Sequence, residues 1–127
     1  MAEKPSTVDA YLAGFTGTHH LKLMELRTAL CASVPDAHEK ISYGMPAIGI
    51  KKNVIYYAAW DKHIALYGWL GADDAMLEPL ASYISSKGTL KFPIDIALPI
   101  VDIQNLAIHL AERCRYATGS LHVSNSG

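Results

Sequence analysis

The stretch EKISYGMPAIGIKKNVIYYAAWDKHIALY, Glu39 to Tyr67, decides the fold. Its apolar residues come in short runs rich in β-branched and aromatic side chains. Gly44-Met45-Pro46, Lys51-Lys52-Asn53 and Asp61-Lys62 separate those runs. Strands are expected over Lys40 to Tyr43, Ala47 to Ile50, Val54 to Trp60 and His63 to Tyr67. Connections this short permit only antiparallel neighbours, because a parallel pair needs a crossover of about a dozen residues or more. Along the third run Val54, Tyr56, Ala58 and Trp60 share one face, while Ile55, Tyr57 and Ala59 share the other. Both sets are apolar, so this strand is expected to be central and at least partly covered on each side.

Upstream, Ser6 with Asp9 resembles a capping box opening a short helix through Tyr11 and Leu12, ended by Gly14. A second helix is expected from Thr18 to Ala32. It buries Leu23, Leu26 and Leu30, leaves Lys22, Glu25 and Arg27 to water, and stops before Pro35. Downstream, Asp73 and Asp74 suit the first turn of a helix running through Met76, Leu77, Leu80 and Tyr83. Ser85-Ser86-Lys87-Gly88 reads as a loop and Thr89 to Phe92 as a fifth strand, stopped by Pro93. A last helix opens at Pro99 with Ile100, Ile103, Leu106, Ala107, Leu110 and Cys114 as its apolar stripe. The class is therefore α+β: an antiparallel meander of about five strands packed against N- and C-terminal helices.

The chain has 127 residues, 50% hydrophobic, with 11 Lys+Arg against 12 Asp+Glu and a net charge of −1. That length fits one domain, placed at residues 1–117, with TGSLHVSNSG (118–127) as a flexible tail. Near-neutral charge argues against a generic nucleic-acid binder. No apolar run is long enough for a membrane span and no secretory signal is expected, so the expected location is cytoplasmic. Cys31 and Cys114 form no CxxC pair and are expected as reduced, buried thiols. GxSxG, P-loop and HExxH patterns are absent, so no enzyme is expected.

Several strings, taken together, resemble a known family. They are Glu39-Lys40-Ile41-Ser42-Tyr43-Gly44-Met45-Pro46-Ala47, then Tyr57-Ala58-Ala59-Trp60, Lys62-x-Ile64-x-Leu66-Tyr67 and Ser86-Lys87-Gly88-Thr89-Leu90-Lys91-Phe92-Pro93. They resemble the bacterial YdhG-like family, a domain of unknown function described as frataxin-like because one member acts as an intracellular iron chaperone. The likeness covers roughly Val8 to Tyr116. It implies a frataxin-like layout of helices on an antiparallel sheet, and a non-catalytic role in binding or delivering weakly held iron.

Two constellations follow. For iron, the nearest hard ligands with an imidazole among them are Asp36, His38 and Glu39, at the entrance to the first strand. The acidic ridge implied by the resemblance is thin here, because Asp9 and Glu25 are the only acids from Ser6 through Ala32. For an anion, Lys62, His63, Lys87 and Lys91 converge if the strand at Thr89 lies beside the one at His63. Gly88 then allows close backbone approach, and Tyr43, Met45, Trp60 and Tyr67 form a rim. That set suits a phosphate or carboxylate ligand. A third reading makes the exposed aromatic rim the contact of a protein-interaction adaptor. Tyr56-Tyr57 with Trp60 also suggests stacking on nucleic acid, but alternation divides these residues between faces and a core role is expected for them.

Overall fold

The computed structural model describes residues 5–50, 53–69, 72–86 and 88–123, with side chains for all of these except 53–54 and 114–123. The elements are α1 (Val8–Ala13), α2 (Gly17–Ser33), β1 (His38–Ser42), β2 (Met45–Gly49), β3 (Asn53–Ala59) and β4 (His63–Tyr67). Then come α3 (Asp74–Leu77), a 3₁₀ helix (Glu78–Tyr83), β5 (Ile84–Ser86), β6 (Thr89–Pro93) and α4 (Ile100–Val123). One antiparallel sheet carries all six strands in the order β1-β2-β3-β4-β6-β5. The class is α+β, as expected.

Local differences from the sequence reading have physical causes. Thr7, not Ser6, caps α1, its hydroxyl accepting from the Ala10 N–H at 3.1 Å. The first hairpin turns at Tyr43-Gly44, both at positive φ (54° and 76°), which closes Ser42 against Met45 in two residues. That backbone matches the twist of the flanking strands. Met45 and Pro46, expected in the break, are therefore strand residues. Pro79 restricts the helix opened at Asp73 to one α turn followed by the 3₁₀ helix. The expected loop at Ser85–Ser86 is the edge strand β5, giving six strands where about five were expected. It is short and exposed throughout, and short edges resist unwanted pairing. By backbone geometry α4 reaches Val123, past the boundary drawn at residue 118. Gly119 within it costs only about 1 kcal/mol relative to alanine.

The core lies between the helices and one face of the sheet. Leu23, Leu26, Ala29 and Leu30 of α2 and Ile103, Leu106, Ala107, Leu110 and Ala111 of α4 are buried. They meet Ile48, Ile55, Tyr57, Ala59, Ile64, Leu66, Leu90 and Phe92 from β2, β3, β4 and β6. Each fully buried leucine or isoleucine contributes roughly 1.5–3 kcal/mol through burial. These strand residues share one parity, so the other face of every strand points away from the helices. The expectation that β3 is covered on both sides holds only in part. Ala58 is buried on the outer face, but Tyr56 is half-buried and Trp60 exposed.

Arg27, expected in water, instead ties three elements together. Its Nε and Nη2 donate to Glu39 of β1 at 3.0 and 2.9 Å, and its Nη1 donates to Asp9 of α1 at 2.6 Å. Arg27 and Glu39 are each only 24% exposed at the side chain, so the forked pair is partly desolvated and holds the sheet edge against α2. A double-mutant cycle with Arg27→Ala and Glu39→Ala, read by urea unfolding, is expected to give a coupling of about 1–3 kcal/mol. A coupling below about 0.3 kcal/mol would reduce the pair to a surface contact.

Candidate functional site

The outer sheet face is built by register. Across one row lie Lys40, Ala47, Tyr56, Tyr67 and Thr89, paired successively from β1 to β6. The neighbouring row pairs Ala58 with Ala65 and Ala65 with Lys91. Beyond it His63 pairs with Pro93, and the Trp60 N–H donates to the His63 carbonyl at 2.8 Å to close the β3–β4 turn. Tyr56, Tyr67, Trp60, His63 and Lys91 therefore project from one face.

Two of these side chains cover the middle of that face. The Trp60 indole N–H donates to the Tyr67 hydroxyl at 3.0 Å, although the two residues lie at opposite ends of the β3–β4 pair. The bond requires both side chains to lean along their strands over the Ala58–Ala65 pair between them. The exposures agree: Ala58 is 2% and Ala65 0% exposed on the face turned away from the buried stripes of α2 and α4, while Trp60 remains 48% exposed. Alanine is small enough to let the rings lie down. The result is an aromatic platform with its one indole donor satisfied.

The ends of the platform are also held. His19 of α2 places Nε2 at 2.9 Å from the carbonyls of both Trp60 and Asp61, so this nitrogen carries the proton and donates. The Ala59 N–H donates to the Tyr11 hydroxyl at 3.2 Å, and the Ile94 N–H donates to the Lys62 carbonyl at 2.9 Å. At the other end Tyr43 is 87% exposed and its ring lies 5.9 Å from that of Tyr56. A positive φ on tyrosine costs on the order of 1 kcal/mol, and here it places a ring beside the open face.

The cations lie at the edge. His63 is half-buried and its ring stacks against Trp60 at 6.4 Å. Burial, and secondarily the nearby Lys91 ammonium, hold its pKa below the ordinary histidine value. The structure thus brings Trp60, His63, Tyr67 and Lys91 together. Met45 shares their face in β2, and Lys62 stands exposed in the adjoining turn. Gly88, at φ 84°, joins β5 to β6. Lys87 lies outside the described residues. Tyr56, Ala58, Ala65 and the positioning residue His19 were not singled out for the site from sequence. Alternation along two adjacent strands was the signal for the first three, while His19 had none.

Asp36, His38 and Glu39 are not assembled. His38 and Glu39 are successive strand residues and face opposite sides, and both Glu39 oxygens are engaged by Arg27. Among the described residues, no group of three His, Cys, Asp or Glu is placed to hold a metal ion. Asp73 is bonded to Arg113 at 3.0 Å, as befits a structural acid. Burial, and then Glu39, push the Cys31 thiol up to about 11, the opposite of an activated nucleophile. No helix among the described residues is long and apolar enough to cross a membrane.

Neither a protein-family model nor a curated protein matches the sequence. The fold does have a match among solved structures. The fold is similar to that of a DUF1801-family protein, YdhG, from Bacillus subtilis. The two share a TM-score of 0.68 over 87% of this chain and 91% of the other, at 16% identity. At that identity the likeness is one of architecture.

The platform makes a direct prediction. Tyr67→Phe removes the acceptor of the Trp60 indole and should cost no more than about 1–1.5 kcal/mol of stability. It should also raise acrylamide quenching of tryptophan fluorescence, since the second tryptophan, Trp69, is buried at 4% exposure. Unchanged quenching would mean that the hydrogen bond does not hold Trp60 down.

Proposed function

We propose that this chain is a non-catalytic domain of the DUF1801 (YdhG-like) type that binds a small anionic ligand on the outer face of its sheet. One observation carries the reading: His63 and Lys91, diagonal neighbours on β4 and β6, stand beside the Trp60–Tyr67 platform. Lysine supplies a point charge, and a histidine held neutral gains a proton when an anion arrives. Aromatic side chains with a few precisely placed polar groups are the residue types that line small-ligand sites in general.

Iron delivery remains the expectation attached to the family resemblance. In this chain it would rest on Asp36 and His38 without Glu39. The geometry therefore favours the anion. The adaptor reading uses the same aromatic rim, and no charged edge beside the rim is needed for it.

An anion beside His63 stabilises the imidazolium and raises a pKa that starts low, so affinity should increase as pH falls from 8 towards 5. Sulfate is a suitable probe because its own charge is constant over that range. Calorimetric titration should show sulfate binding strengthening about fivefold or more at the lower pH. Lys91→Gln should weaken it about fivefold, and His63→Gln should flatten the pH dependence. Sulfate affinity that is insensitive to both substitutions would place the anion elsewhere or nowhere.

A further inference from the structure

The charged edge and the platform are adjacent but not superimposed, and that offset specifies the ligand further. We infer that the anion is a nucleoside phosphate, its base stacked on the Trp60–Tyr67 platform and its phosphate at His63 and Lys91. The inference rests on the anion-binding reading above.

A stacking surface must be flat, apolar and rigid. Trp60 and Tyr67 are joined by the 3.0 Å indole N–H bond, and Ala58 and Ala65 between them are buried, so the pair is held before a ligand arrives. Rings fixed before the ligand arrives lose little conformational entropy on binding. A second aromatic pair, its rings tilted 45° to each other, stands beside the platform. Tyr56 pairs directly with Tyr67 across the strands, and Tyr43 lies against Tyr56. A base stacked on an aromatic side chain gains about 1–3 kcal/mol, largely independent of which base it is.

The offset argues for a spacer. Lys91 pairs with Ala65 one strand over from the platform's middle, and strands lie about 4.8 Å apart. A ring joined to its anion through a sugar reaches the edge. Lys40, in the same row as Tyr56 across β2, is a further donor on this face. The overall charge of −1 favours one nucleotide over a polymer. A polymer's affinity comes chiefly from neutralising many phosphates, whereas one lysine beside one titratable histidine suits a single phosphate.

The test is calorimetric titration of the full chain at pH 6 with adenosine 5′-monophosphate, ribose 5-phosphate, adenosine and a ten-residue oligodeoxyadenylate. The monophosphate is expected to bind about tenfold or more tightly than either ribose 5-phosphate or adenosine. Trp60→Ala should bring it down to the level of ribose 5-phosphate while leaving the latter unchanged. Lys91→Gln should weaken both phosphates alike. Equal binding of ribose 5-phosphate and the monophosphate would overturn the stacked ring while leaving the anion reading in place. Equal binding of adenosine would remove the anion and keep the ring. No binding of any compound would overturn both readings. An oligonucleotide bound more than about tenfold tighter than the monophosphate, with steep salt dependence, would make single-stranded nucleic acid the partner.

Discussion

The outer face depends on the pairing of Ala58 with Ala65 at the centre of the sheet. Larger residues at either position would prop Trp60 and Tyr67 upright and part the indole from the hydroxyl that accepts its proton. On the inner face, the flanking residues Tyr57, Ala59, Ile64 and Leu66 are all buried in the core. A slip of one residue between β3 and β4 would turn one strand over, putting either Tyr57 and Ala59 or Ile64 and Leu66 outside and that strand's alanine in the core, at roughly 1.5–3 kcal/mol for each large side chain lost. The same hydrophobic burial that fixes the register therefore fixes the geometry of the platform.

The helices contribute to this face from behind. His19 binds the carbonyls of the β3–β4 turn, and Tyr11 receives the Ala59 N–H. Arg27 anchors the far edge of the sheet through Glu39. Each contact spans from helix to strand, so the strand ends that carry Trp60 and His63 are held by the core layer. Glu39 illustrates the conflict between roles: once both its oxygens accept from a guanidinium, the carboxylate is no longer available as a hard metal ligand.

Much of this architecture was legible in the chain. The short runs between Glu39 and Tyr67 specify antiparallel neighbours, and the apolar stripes of α2 and α4 name the core residues. The misreadings came where local signals compete. Tyr43 carries no glycine-like signature, so a turn using its positive φ was invisible, and Pro46 drew attention as a breaker although it sits in β2. Arg27 looked like a solvent residue because its partners, Asp9 and Glu39, lie far from it in sequence. For the site, Trp60, His63, Tyr67 and Lys91 are legible once the strand at Thr89 is placed beside the one at His63. From sequence a core role is expected for Tyr56 as for Tyr57, although alternation separates them. Only the structure shows that Tyr56 lies on the open face and Tyr57 beneath it.

The central claim is that two aromatic rings lie flat over a pair of alanines on the open side of the sheet, and proton NMR tests it most directly. Methyl groups under aromatic rings are shifted upfield by ring currents. The account predicts that the Ala58 and Ala65 methyl signals lie upfield of the usual alanine position, show nuclear Overhauser contacts to Trp60 and Tyr67, and return to ordinary positions in a Trp60→Leu, Tyr67→Leu double variant. Methyl signals at ordinary positions in the natural chain, without those contacts, would contradict it.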